Sequence, residues 1–261
     1  MKNPTVIAIT GASSGIGAAL AKHYAAPGVT LYLTARNEMR LDEVRRACEA
    51  KGAAVHSASM DIADAGAVAA WLTEADGARG LDLLIANAGV SGGSGGTIHG
   101  EESRQVRHIM AVNVDGMLNT VLPVIPRMAA RHRGQIAIMS SLAGFRGLPS
   151  APAYSASKAA MRFYGEGLRG WLGRQGVQVS VICPGYIATR MTRGNPFPMP
   201  FLMSAEKAAC IIARGLRRNR GRIAFPWQLY LPMWVVSNLL PMALTDHLFA
   251  RLPAKPAAEA P

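Results

Sequence analysis

Short apolar runs alternate with longer amphipathic ones along most of the chain. Residues 5–10 (TVIAIT) form an unbroken, β-branched apolar run, the pattern of a strand buried on both faces. Residues 31–35 (LYLTA), 54–60, 81–86 (LDLLIA), 135–139 (QIAIM), 177–182 (VQVSVI) and 222–225 repeat that character and predict further strands. Helical spacing fills the intervals: residues 18–26, the charged 38–51, 64–75, the long stretch 101–128, a stretch from Pro152 to about Arg174, and 204–219. Pro123 and Pro126 are expected to break or kink the long stretch, and Ser204 to cap the last helix. Strands alternating with helices predict parallel βαβ units and an α/β fold.

Two stretches depart from this alternation. Residues 91–100 (SGGSGGTIHG) predict a mobile loop beyond a strand's carboxyl end, where a substrate-side loop belongs; His99 within it is expected to be an exposed loop residue, not a catalyst. Residues 223–245 carry no charge and hold Trp227, Tyr230 and Trp234. Pro226, Pro232 and Pro241 argue against a regular membrane-spanning helix there. Two readings stand. The segment packs over the substrate pocket or a subunit interface, or it lies on a membrane surface with Trp and Tyr at headgroup depth. In the second case Arg217, Arg218, Arg220, Arg222 and Arg251 would meet anionic lipid. The expected plan is one domain over residues 1–226, an apolar extension over 227–253 and a disordered tail over 254–261.

Composition narrows the class. With 261 residues, half of them hydrophobic and 17% charged, the chain buries a sizeable core and is not a disordered sequence. Cys48, Cys183 and Cys210 are too far apart to suggest a metal site or a disulfide framework, which fits a reducing, cytoplasmic compartment. No secretory leader is expected from the first residues. The net charge of +12 favours an anionic partner. Its basic residues are scattered and aromatics make up only 6%, so no nucleic-acid partner is expected; an anionic cofactor or membrane surface fits better.

The candidate chemistry lies in two places. After the first strand, Gly11-Ala-Ser13-Ser14-Gly15-Ile16-Gly17 leads into a helix. Glycines allow a diphosphate close to the backbone, and the helix N-terminus offers free N–H groups and a positive dipole end. The second strand ends at Arg36, where an NAD-preferring fold is expected to carry an acidic residue; a guanidinium there can grip a 2′-phosphate, which predicts NADPH over NADH. Asp61 and Ile62, at the end of the third strand, are placed to border the adenine. Far downstream, Tyr154 and Lys158 stand one helical turn apart on the same face. A neighbouring cation is expected to lower the tyrosine pKa and make the pair a general acid/base.

Together, Thr10-Gly-Ala-Ser-Ser-Gly-Ile-Gly17, Asn87-Ala88-Gly89, Asn113, Ser141, Tyr154-x-x-x-Lys158 and Pro184-Gly185-x-x-x-Thr189 resemble the short-chain dehydrogenase/reductase family, from about residue 5 to residue 225. The resemblance implies a Rossmann-type, doubly wound parallel sheet of about seven strands with helices on both faces. It implies a nicotinamide cofactor across the carboxyl ends of those strands. Ser141 would polarise the substrate oxygen, Tyr154 would transfer the proton, Lys158 would lower the tyrosine pKa and hold the nicotinamide ribose, and Asn113 would hold a relay water. Gly11, Gly15, Ile16 and Gly17 would line the diphosphate, Asn87 and Ala88 the adenosine half, and Thr189 the nicotinamide amide. Ser13, Ser14, Gly89, Pro184, Gly185 and Ile187 complete the expected cofactor-binding set. Ser14 stands where some NADPH-preferring members carry an extra basic residue, so the NADPH expectation rests mainly on Arg36. The implied activity is reversible carbonyl/alcohol interconversion by a homodimer or homotetramer; the uncharged segment near the C-terminus suits an apolar, lipid-like substrate, and no metal is expected. Rival readings are an NAD-dependent alcohol dehydrogenase of the same family and a non-catalytic dinucleotide-binding scaffold. The intact Asn/Ser/Tyr/Lys set argues against the second.

Overall fold

The computed structural model describes residues 3–77, 79–96, 100–249 and 255–257. His99 and Arg251, singled out above, lie outside the described residues. Seven strands form one sheet in the order β3-β2-β1-β4-β5-β6-β9, every neighbouring pair parallel. They are β1 (Val6–Thr10), β2 (Thr30–Ala35), β3 (Ala54–Ser59), β4 (Leu83–Ala86), β5 (Gly134–Met139), β6 (Val177–Pro184) and β9 (Arg222–Phe225). Two short strands, β7 (Ile187–Ala188) and β8 (Met203–Ser204), pair separately beyond the end of β6. The doubly wound parallel sheet expected from the sequence is therefore the fold.

Helices cover both faces: α1 (Gly15–Tyr24), α2 (Glu38–Glu49), α3 (Ala65–Asp76), α4 (Ser103–Met110), α5 (Gly116–Val121), α6 (Ile125–Ala130), α7 (Pro152–Gly173), α8 (Arg190–Arg193), α9 (Ala205–Arg217), α10 (Trp227–Leu239) and α11 (Met242–Phe249). Alternation along the strands builds two cores. Ile7, Ile9, Leu31 and Leu33 face α1, α2 and α9; Ala8, Leu84, Ile136 and Ile138 face α3, α5 and α7. β1, β4 and β5 are buried at every position, which is why they read as unbroken apolar runs, while the edge strand β3 is mostly exposed.

The long stretch after β4 is one helical run over residues 103–130 that changes character along its length. A π-helical turn spans Ala111–Asp115 and a 3-10 turn, Leu122–Val124, sits at Pro123. Among the described residues this run alone is long and apolar enough to cross a membrane, and half of its most apolar 18-residue window is buried inside the protein.

The apolar extension is helical. On α10, Leu229, Tyr230 and Met233 pack against Leu142 and Phe145, so that side of the helix joins the body of the protein. Trp227, Leu231, Trp234 and Leu239 are exposed, and no residue of α10 is fully buried. Of the segment expected to be a disordered tail, residues 255–257 are placed against the loop that follows β4, with Gly95 N–H donating to the carbonyl of Lys255; the remainder lies outside the described residues.

Candidate active site

The carboxyl ends of β1, β4, β5 and β6 lie along one edge of the sheet, and the strand order reverses between β1 and β4. A crevice at such a switch point is where open parallel sheets bind ligands. Here it is a cavity of about 330 Å³. A larger cavity of about 690 Å³ adjoins it between α1, α2 and α9 and shares Ser13, Ser14 and Gly15 with it. Only the smaller one brings together Ser141, Tyr154 and Lys158, so the chemistry belongs there.

One half of the cavity is built from backbone. Gly11 and Gly15 adopt left-handed φ values of 68° and 54°. Gly17 does not line the cavity; it lies beneath the loop, where a Cβ would come within 2.3 Å of the Gly11 carbonyl oxygen. Ser14 is the N-cap of α1 but makes no side-chain capping bond, so the first helical turn keeps N–H groups for an anion. Asn87 ties the end of β4 to this loop: its Nδ2 donates to the carbonyls of Thr10 at 2.9 Å and Gly11 at 3.3 Å. Thr189 stands against Gly15 from the far side, 3.0 Å from where a Cβ would lie. Ser13, Ile16, Arg36, Asp61, Ile62, Ala88, Gly89, Pro184, Gly185 and Ile187 also line the cavity.

Arg40 is an addition that the sequence reading missed. It lines the cavity near Arg36, and its Nε is buried without a hydrogen-bond partner among the described residues. Its place follows from local chemistry: Asn37 caps α2 by accepting from Arg40 N–H at 3.0 Å, which turns the first helical turn toward the end of β2. A basic residue three positions after a capping Asn was the available signal.

The other half carries the polar side chains. Lys158 is 4% exposed, and its Nζ donates to the Met139 carbonyl at 2.9 Å. Burial pushes its pKa down to about 8. The Tyr154 ring lies on the same helix, with Lys158 Nζ 5.9 Å from its centroid. Here the expectation is corrected: burial raises the Tyr154 pKa, and a hydrogen bond with Ser141 opposes that rise only in part. The ammonium is aimed at the end of β5, not at the phenol oxygen, so desolvation dominates over charge. Ser141 Oγ accepts from Ala143 N–H at 3.1 Å and begins the short 3-10 turn Leu142–Gly144.

Asn113 sits in the π-helical turn, fully buried. Its Oδ1 accepts from Val90 N–H at 2.8 Å, and its Nδ2 donates to the Val90 carbonyl at 3.0 Å and to Ser157 Oγ at 2.9 Å. Ser157 Oγ in turn donates to the Tyr154 carbonyl at 2.8 Å. The amide thus fastens the segment after β4 to the turn of α7 that carries Tyr154. π-turns of this kind concentrate at functional sites.

A doubly wound sheet with a glycine loop at its switch point, and a serine, a tyrosine and a buried lysine facing it, defines a dinucleotide fold. The sequence profile of the short chain dehydrogenase family matches residues 5–196, and the chain belongs to that family of oxidoreductases. An uncharacterized oxidoreductase of Myxococcus xanthus (strain DK1622) is 40% identical over 247 residues, covering 94% of this chain and 96% of its own. A short-chain dehydrogenase from Sphingobium yanoikuyae, solved in complex with NADPH, aligns at TM-score 0.78 and 26% identity over 95% of this chain and 96% of its own. A short chain dehydrogenase from Mycobacterium paratuberculosis bound to NAD aligns at TM-score 0.73 and 25% identity, covering 86% and 97%.

The buried ammonium has a consequence for stability. A lysine whose pKa falls on folding holds its proton more firmly in the unfolded chain. Lys158 therefore burdens the fold at neutral pH, and the burden is relieved as pH rises from about 8 toward 10.5. Relative to Lys158→Met, the wild-type unfolding free energy from urea titrations is expected to rise by about 2–3 kcal/mol across that window. A difference that stays flat with pH would mean that the ammonium titrates normally.

Proposed function

We propose that the protein is an NADPH-dependent carbonyl reductase, interconverting a carbonyl and an alcohol on an apolar, lipid-like substrate. One observation carries this reading: a single cavity has Ser141, Tyr154 and Lys158 at one end and two guanidiniums, Arg36 and Arg40, at the other. The residues fit a dinucleotide. Gly11 and Gly17 hold the loop where a side chain would not fit, the first turn of α1 is uncapped by its serine, and Arg40 Nε lacks, among the described residues, a partner that a 2′-phosphate would provide. When bound, the nicotinamide supplies or accepts the hydride.

The chain's own residues do the rest. Ser141 Oγ holds the substrate oxygen, and Tyr154 donates its proton to that oxygen as negative charge builds. A phenol whose pKa is raised is protonated at neutral pH, which suits reduction. Lys158 fixes the end of β5 beside it and presents its ammonium toward the nicotinamide ribose. Asn113, through Ser157, holds the Tyr154 turn in place. Residues 1–226 form the catalytic domain in this reading, and 227–253 an extension whose exposed Trp227, Leu231 and Trp234 meet an anionic membrane surface at the cytoplasmic face. The exposed Phe163 and Trp171 on α7 support assembly into a dimer or tetramer, read by analytical ultracentrifugation; a monomer at micromolar concentration would discard it.

Tyr154→Phe is expected to lower NADPH-driven turnover of aldehydes and ketones about 100-fold or more, with nucleotide affinity kept; near-normal turnover would refute the assigned proton donor. Arg40→Ala is expected to weaken NADPH binding about 10-fold or more and leave NADH binding unchanged, since a charged hydrogen bond is worth roughly 1.5–3 kcal/mol; equal losses for both would remove the 2′-phosphate role. The double variant Trp227→Ser, Trp234→Ser is expected to stop cosediming with anionic phospholipid vesicles, and unchanged sedimentation would discard the membrane contact.

A further inference from the structure

The serine of the active site stands on a turn that the apolar extension covers. Ser141 Oγ donates to the Pro184 carbonyl at 3.4 Å and opens the 3-10 turn Leu142–Gly144, which ends at the buried Phe145. A 3-10 turn of three residues has poor hydrogen-bond geometry of its own, so its surroundings set its shape. Those surroundings form a small apolar cluster apart from the two main cores. Leu142 and Phe145 meet Val181 and Cys183 of β6, and Leu229, Tyr230 and Met233 of α10 close over them. The Tyr230 and Phe145 rings meet edge to face, with centroids 5.5 Å apart. Leu229 reaches the neighbouring strand end: a Cβ at Gly185 would stand 3.0 Å from Leu229 Cδ1 and 3.4 Å from Leu142 Cδ1.

Charged groups fasten the same turn. Arg162 Nε donates to the Gly144 carbonyl at 3.1 Å, and its guanidinium lies 4.5 Å from the Phe145 centroid. The Arg222 guanidinium, on β9, lies 5.3 Å from that centroid, and its Nη1 donates to Tyr230 Oη at 3.4 Å. Glu166 joins the two arginines, accepting from Arg222 Nε at 3.0 Å and from Arg162 Nη1 at 3.4 Å. Phe145 is thus gripped by α7, β9 and α10 at once, one turn of chain away from Ser141. The inner side of α10 packs on this turn, and no residue of the helix is fully buried, so α10 adds little to the cores of the sheet. The helix also lies beyond residue 196, where the match to the family profile ends.

We propose that Tyr230 is a positioning residue: through Phe145 it holds the turn that carries Ser141, and so keeps the serine hydroxyl in reach of the substrate oxygen. This rests on the carbonyl/alcohol reading of the site. Tyr230 does not line the cavity of the site and acts only through the turn. Without its ring the turn relaxes into the space that the ring filled, and Ser141 Oγ leaves the place where charge builds on the oxygen. Misplacing a polarising group by about 1 Å costs up to roughly 100-fold in rate.

The test uses the full chain with NADPH and decanal. Ser141→Ala is expected to lower kcat about 100-fold or more. Tyr230→Leu, which keeps an apolar side chain in place, is expected to lower kcat roughly 10-fold with the NADPH Kd unchanged, and to cost nothing further in the Ser141→Ala background. Tyr230→Phe keeps the ring against Phe145 and is expected to retain most of the activity. Three results would overturn the proposal: normal kcat in Tyr230→Leu, an equal loss in both backgrounds, or a matching loss of NADPH affinity, which would make Tyr230 a general prop of the fold. A second readout needs no substrate. Ser141 holds the Tyr154 pKa down in part, so Tyr230→Leu is expected to move the Tyr154 titration upward, in the direction that Ser141→Ala moves it, and not to move it when Ser141 is already alanine. The titration is the ultraviolet difference against the matching Tyr154→Phe variant, and one that stays in place would overturn the positioning role. No reduction of decanal, with the titration moving as stated, would strike the carbonyl reading and leave the hold of Tyr230 on Ser141 standing.

Discussion

A charged ammonium is held almost out of water at the carboxyl edge of the sheet, and the surroundings are shaped by that burial. Lys158 can lie there only because α7 approaches the sheet closely. At Gly165 a Cβ would come within 2.6 Å of Val181 and 3.1 Å of Ile138, and at Gly144 within 2.7 Å of the Lys158 backbone. Gly89 leaves space on the other side, since a Cβ there would stand 3.3 Å from Lys158 Nζ and 3.0 Å from Asn113 Oδ1. Removing an unpaired ammonium from water is expensive. The Met139 carbonyl recovers part of that cost, and the depressed pKa records what remains.

The same close packing fixes Tyr154. Its helical turn is held by Ser157 and Asn113 from one side, and Ser140 and Ser141 face it from the end of β5. Ser140 Oγ donates to the Lys158 carbonyl at 2.7 Å. Burial then acts with opposite sign on the two groups, raising the phenol's pKa and lowering the ammonium's. Both shifts favour the neutral forms, and the electrostatic partnership that spacing alone suggested is subordinate to desolvation.

Much of this was legible in the sequence because it rests on local rules. Strands buried on both faces must be apolar throughout, as residues 5–10 and 135–139 are; a glycine turn between strand and helix leaves few alternatives; and Tyr154 and Lys158 share a face by helical period alone. What escaped depended on three-dimensional balance. The direction of the Tyr154 shift needed the depth of burial as well as the neighbour. The π-turn around Asn113 lies inside a run whose periodicity reads as ordinary helix. Arg40 reaches the cavity through a capped helix start, and Lys255 reaches the Tyr154 ring through a tail whose Pro/Ala-rich composition resembles a disordered end. Neither position can be derived from spacing.

The most direct measurement is the titration of the Tyr154 phenol itself, taken as the ultraviolet difference between the wild type and Tyr154→Phe as pH is raised. The account predicts that the phenol ionises above the ordinary tyrosine value of about 10, because burial outweighs the ammonium one turn away. Ionisation well below that value would contradict it, and would show that Lys158 controls the tyrosine by charge in the way that the sequence spacing first suggests.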